Sequence, residues 1–170
     1  LVSFYTMRNI LRDGGAQDIA ALQQLNYTVG SGGYTNSTTP SIWPSKGVIT
    51  SPYGSRIDPV TGASSAFHEG IDIADDYGTS IVATAAGTVT IAGYTDGGYG
   101  NLVEIDHGNG FVTRYGHNSA VLVTPGMSVK QGQVIALMGS TGKSTGAHVH
   151  YEVRINGTAV DPMVFLPISN

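Results

Sequence analysis

The sequence predicts a mainly β protein, an antiparallel sheet or partly closed barrel carrying a groove, with a short helical segment at its N-terminus. Three observations predict it. Glycine occupies 24 of 170 positions, about twice its usual share. From about residue 42 onward, short runs of β-branched and aromatic residues recur, each bounded by turn residues. After residue 40 no stretch of helical length carries a convincing 3.6-residue apolar period. Regular short strands joined by Gly-rich turns build antiparallel sheets, sandwiches or barrels.

Taken in order, residues 1–27 place Phe4, Met7, Ile10 and Leu11, then Ile19, Ala20, Leu22 and Leu25, at irregular helical spacing. Asp13, Gly14 and Gly15 interrupt them, because two glycines are costly inside a helix and comfortable in a turn. Two short packing helices, or one broken helix, are expected. Residues 29–40 are mostly Gly, Ser, Thr and Asn with little to bury, the composition of a linker. Pro40, Pro44 and Pro52 then punctuate the start of the main domain. The expected division is therefore residues 1–40, helical segment and Gly/Ser/Thr linker, and residues 41–170, the β domain. Strands are expected over 47–50, 71–73, 80–85, 88–92, 101–106, 111–115, 121–123, 134–138 and 148–155, with a tail near 159–160. Residues 106–110 read as a hairpin turn, which makes His107 a turn residue near the surface.

Composition excludes several functions. The formal charge of -4 and the lack of any Lys/Arg cluster leave no electrostatic footprint for nucleic acid. With no cysteine, a disulfide framework and a thiolate zinc site are ruled out, so a metal would be held by nitrogen and oxygen. No apolar run approaches the ~20 residues of a membrane-spanning helix. The chain begins at Leu1 and reads as a processed or truncated product, compatible with a targeting or anchoring segment upstream.

Chemistry concentrates at residues 147–154. In a strand, His148, His150, Glu152 and Arg154 share one face while Val149, Tyr151 and Val153 take the other. Two imidazoles looking out of one sheet face suggest a metal, since neutral imidazole is a common ligand. Of the remaining histidines, His68 precedes Asp72 by four residues. Fully extended, that pair would stand ~13 Å apart, too far to share one ion, so the backbone must bend, with Gly70 supplying freedom. Two histidines and one carboxylate leave zinc a fourth position for water, whose pKa the ion lowers to about 7. His68, Asp72 and one of His148 or His150 would make such a set. The other histidine of the pair and His117 are then candidates for moving protons and hydrogen-bonding an oxyanion. Glu69, Glu104 and Glu152 are read as solvated or ion-paired, with Glu152 placed to orient a histidine of its own strand face.

The segments Phe67-His68-Glu69-Gly70-Ile71-Asp72-Ile73-Ala74, Gly98-Tyr99-Gly100-Asn101, Ile105-Asp106-His107-Gly108, Tyr115-Gly116-His117, Gly139-Ser140-Thr141-Gly142 and His148-Val149-His150-Tyr151-Glu152 together resemble the M23 family of zinc metallopeptidases. These are the lysostaphin and LytM-type peptidoglycan endopeptidases, and the resemblance runs from about Trp43 to Leu166. It implies that His68, Asp72 and His150 bind one zinc ion and that His117 and His148 are the catalytic pair. It also implies a β core whose sheet floors a groove walled near residues 94–101 and 140–146. The chain departs from the family's usual residues at Ala147, Val149 and Asn118, none of them a ligand or a catalytic group.

The function this resemblance implies is zinc-dependent hydrolysis of peptide cross-links in bacterial peptidoglycan, outside the cytoplasm, with wall peptides as the partner. The alternative is a LytM-type domain that is non-catalytic, or autoinhibited by Tyr34 or Asn36 lying in the groove, and that binds the wall or regulates another hydrolase. A lipoyl-like or carbohydrate-binding β module is a third reading, and it predicts no stoichiometric metal. The kind of cross-link, pentaglycine or D-alanyl-diaminopimelate, is not written in the groove segments.

Overall fold

The computed structural model describes residues 33–55, 57, 62 and 67–168. The expected helices over residues 1–27 lie outside the described residues. What is described is built almost wholly from antiparallel strands, as the sequence predicts. The larger sheet runs in the order β1 (Val48–Ser51), β2 (Ile71–Ala74), β10 (His148–Ile155), β6 (Phe111–Asn118), β5 (Gly100–Asp106), β4 (Gly87–Thr95) and β8 (Ser128–Val129), with β11 (Thr158–Val160) also pairing with β10. A smaller sheet has the order β3 (Ser80–Val82), β9 (Val134–Leu137) and β7 (Ala120–Val121). The only helical turn among the described residues is a 3₁₀ turn at Pro162–Val164. None of their helices is long and apolar enough to cross a membrane.

Alternation explains how the two sheets meet. Ile71 and Ile73 of β2, Val103 and Ile105 of β5, Tyr115 of β6 and Val149, Tyr151 and Val153 of β10 are fully buried and form one cluster with Ile81, Ala136 and Met138. Each such aliphatic side chain contributes roughly 1.5–3 kcal/mol by leaving water. The smaller sheet therefore covers one face of the larger one. The residues between those core positions, Asp72, Glu104, Arg114, His148, His150 and Glu152, are thrown onto the opposite face.

Two local features depart from expectation. His107 is buried, 4% exposed, rather than at the surface. Its Nδ1 donates to the Ala86 carbonyl (2.8 Å), and its Nε2 lies 2.8 Å from the Thr113 hydroxyl. The turn is at the surface, but the imidazole folds back under Gly87, where an added Cβ would come within 2.9 Å of it. Strand β8 had no sequence signal because two residues are too short to carry a period.

Residues 35–39, within the stretch of linker composition, are tied to the sheets. Thr35 forms a β-bridge with Gln131, the Ser37 carbonyl accepts from Ala86 N, and the Thr39 carbonyl accepts from Gln131 Nε2. These anchors lie around Gln131 and Ala86, neither of them in the histidine cluster.

Candidate metal centre

Antiparallel register assembles the centre. On the face away from the core, His150 of β10 lies opposite Asp72 of β2 on one side and Gly116 of β6 on the other. Gly116 has no side chain there, and Tyr99 lies over it: an added Cβ would meet the Tyr99 ring at 3.2 Å. One row along, Glu152 opposes Arg114, and Arg114 opposes Glu104.

His68 arrives from before β2. It bridges Gly54, and its Nε2 lies 3.3 Å from Asp72 Oδ1, so the backbone does bend between the two residues. Gly70 is needed for a different reason from the one expected. Its φ is not in the left-handed region, but a Cβ there would stand 2.3 Å from the Tyr151 carbonyl oxygen. Close approach of two backbones, not turn freedom, requires glycine.

Three donor atoms converge: His68 Nε2, Asp72 Oδ1 and His150 Nδ1. Their separations are 3.3 Å between His68 and Asp72, 3.2 Å between the histidines and 3.0 Å between His150 and Asp72. Zinc with bonds of about 2.0–2.2 Å sets tetrahedral ligands roughly 3.3–3.6 Å apart. The triangle is within a few tenths of an ångström of one face of that tetrahedron. Tautomers strengthen the fit. His68 Nδ1 donates to the Pro52 carbonyl (2.8 Å) and His150 Nε2 donates to Glu152 Oε1 (2.8 Å). In the neutral rings both inward nitrogens are therefore lone pairs, facing each other and a carboxylate. Such a group needs a cation, and the donor set suits zinc.

Electrostatics agree. Burial alone would raise Asp72, yet the hydrogen bonds and charges of His150 and His68 hold it well below the usual carboxylate range. Burial would lower His150, but Asp72 and Glu152 push it up to about 9. Glu152, 1% exposed, is brought to about 2 against its burial by His150, Tyr99 and Arg154. The pocket thus favours positive charge at His150, whether proton or metal.

Two further histidines flank the triangle. His148 Nε2 is 3.8 Å from Asp72 Oδ1, and its Nδ1 donates to the Gly146 carbonyl (2.8 Å). Strand alternation would send His117 to the core side with Tyr115. Its φ of 66° breaks the alternation, at a cost of about 1–3 kcal/mol, and sets its ring 4.6 Å from that of His148. His117 Nδ1 donates to the Thr141 carbonyl at 2.7 Å. Burial lowers its pKa, opposed by that carbonyl and aided by the charges of His148 and His150. All five residues singled out in the sequence thus lie in one cluster.

The two expected wall segments meet beside His117. Lys143 N donates to the Gly98 carbonyl (2.9 Å), and Asn101 N donates to Thr141 Oγ1 (3.1 Å). Asn118 has a structural reason: its amide donates to the carbonyls of Asn101 and Tyr115, while Asn101 donates back to the Asn118 carbonyl. Sequence reasoning missed the Pro52 and Thr141 carbonyls and the Tyr99 hydroxyl, which donates to Glu152 at 2.6 Å. Backbone acceptors leave no trace in side-chain identity, and Tyr99 reaches Glu152 only because Gly116 is empty. Glu104 and Glu69 are ion-paired, with Arg114 and Arg154 respectively.

An antiparallel sheet bearing a His/Asp/His triangle with two attendant histidines presents a candidate metal centre. Residues 66–162 match peptidase family M23, and the chain belongs to that family. It is 48% identical over 120 residues to the DD-carboxypeptidase/endopeptidase Mpg of Neisseria meningitidis, covering 70% of this chain and 27% of that one. It is 42% identical over 125 residues to the murein hydrolase activator NlpD of Escherichia coli, covering 74% and 31%. Among solved structures it is similar to the catalytic domain of lysostaphin from Staphylococcus simulans, with a TM-score of 0.63, 33% identity, and coverage of 69% of this chain and 90% of that one. The chain spans about a quarter to a third of the length of these two curated relatives.

Proposed function

We propose that residues 41–170 form the peptidase domain of a zinc endopeptidase that hydrolyses peptide cross-links of bacterial peptidoglycan and works outside the cytoplasm, where that substrate lies. The observation that carries the proposal is the meeting of His68 Nε2, Asp72 Oδ1 and His150 Nδ1 beside the unligated pair His117 and His148. His68, Asp72 and His150 hold the ion. When bound, zinc supplies Lewis acidity that polarises a carbonyl and acidifies water. His117 and His148 each give Nδ1–H to a backbone carbonyl, which leaves both Nε2 atoms to exchange protons with substrate. His117, kept neutral by burial, takes the proton of the attacking water. The protonated His117 then returns that proton to the leaving amine, while His148 Nε2, a lone pair, accepts the water's other hydrogen and orients it for attack.

Asp72→Ala and His150→Ala should lose zinc on dialysis. His117→Ala and His148→Ala should retain it and lose turnover of purified peptidoglycan. Cleavage by these four variants at the parent's rate would sink the mechanism. Digesting walls with pentaglycine and with diaminopimelate cross-links, and weighing the released peptides, identifies the bond. The match to a hydrolase activator supports a second, non-catalytic reading; the complete set of five site residues favours catalysis.

A further inference from the structure

We propose that Glu152 is a positioning residue of the centre: its carboxylate selects the tautomer and fixes the ring of His150 so that Nδ1 faces the metal. This rests on the zinc reading above. Glu152 lies two residues beyond His150 on the same strand face, so its carboxylate reaches the nitrogen that points away from the triangle. His150 Nε2 donates to Glu152 Oε1 at 2.8 Å. A neutral imidazole has one N–H, and with that proton committed to Glu152 the lone pair must be on Nδ1.

The carboxylate is itself immobilised. Oε1 also accepts from the Tyr99 hydroxyl at 2.6 Å, and Oε2 accepts from Arg154 Nε at 2.8 Å. Arg154 NH2 then donates to Glu69 Oε2 at 2.7 Å. Glu69 follows His68, so one arginine ties the segment carrying one ligand to the strand carrying another. Burying a carboxylate to 1% exposure is costly without such compensation. An ionised acceptor suits the role because it offers no N–H of its own to compete at the ring.

The test compares zinc affinity, by competition with a chelator, for the parent, Glu152→Gln and Glu152→Leu. Folding of the variants is checked by circular dichroism. Losing such an outer partner typically weakens metal binding about 10–100-fold. Glu152→Leu should show a loss in that range. Glu152→Gln keeps an oxygen acceptor but not the charge, and should lose about tenfold. If Glu152→Leu does not fold, Glu152→Gln carries the test.

A glutamate that merely held Arg154 would leave the His150 ring unaffected. Proton NMR of the zinc-loaded protein should therefore show a slowly exchanging, downfield Nε2–H resonance of His150 that is lost in Glu152→Leu. A folded Glu152→Gln binding zinc within about twofold of the parent overturns the inference and leaves the peptidase reading intact. So does an unchanged resonance in folded Glu152→Leu. A parent chain that fails to retain zinc overturns both.

Discussion

His107 lies within hydrogen-bond reach of a buried chain of hydroxyls whose direction its own protonation state decides. Its Nδ1–H is committed to the Ala86 carbonyl, so its neutral Nε2 accepts from Thr113. Thr113 Oγ1 then accepts from Tyr115, Tyr115 from Thr84, and Thr84 from Tyr151, at 2.8, 3.0 and 2.8 Å. Protonating His107 would put five hydrogens into four gaps and leave one hydroxyl hydrogen of the chain without an acceptor. Burial already lowers the His107 pKa, with the Ala86 carbonyl and Asp106 opposing. The unfolded chain therefore binds this proton first, and stability is unaffected well above about pH 6.5. It falls as pH drops below that value and levels off only beneath the folded pKa. Thermal midpoints measured from pH 8 to 5 should fall more steeply for the parent than for His107→Gln. Parallel curves would refute this account. In the same chain, Thr84→Val should cost about 1–3 kcal/mol by stranding the Tyr151 hydroxyl, and adding Tyr151→Phe should recover much of it. Urea unfolding of the single and double variants decides, and an equally unstable double variant would show the hydroxyl chain to be irrelevant.

At the scale of elements, the end of β6 and the loop at residues 140–146 form one unit. His117 takes its left-handed backbone where Thr141 can accept from its ring. Gly142, at φ 72°, packs so close that an added Cβ would stand 2.4 Å from Gly100 N. Gly142→Ala should therefore push the two walls apart and misplace His117. Displacement near 1 Å can cost roughly 100-fold in rate. Zinc content should stay at the parent level, since no ligand is on either wall. Loss of zinc together with activity would mean that the loop supports the triangle instead. Strand β10 behaves differently. Its proposed ligand, its carboxylate and its core residues alternate on one rigid element, so zinc retention and folding are expected to fail together when β10 is disrupted.

For the molecule as a whole, the three residues proposed as ligands come from two adjacent strands and the segment that leads into one of them. Binding that requires this folded juxtaposition stabilises the native state by mass action, by about 4 kcal/mol when free zinc exceeds its dissociation constant 1,000-fold. Chelation should lower the thermal midpoint by several degrees, and added zinc should restore it. The same treatment of His150→Ala should produce no shift; an equal shift would place the stabilising ion elsewhere. Much of this molecule was legible in the sequence because period-2 alternation is a property of side chains. The phase of β10, with Val149, Tyr151 and Val153 inward and His148 and His150 outward, is an example. Which of His148 and His150 stands against Asp72 was not legible from alternation, because both share a face. It turns on cross-strand register, which places Asp72 opposite His150. His107 was misplaced for a related reason: the turn was read correctly, but the acceptor that draws the ring inward is the carbonyl of Ala86 in a distant segment.

Because β10 is clasped between β2 and β6 and alternates hydrophobic with chemical residues, a slip of one position would carry Val149 or Tyr151 into the place of His150 and bury imidazoles in the interior. A mispaired chain can neither settle nor gather its ligands. On the proposed peptidase reading, competence to cut is gated by correct assembly, and a half-folded copy is a harmless one.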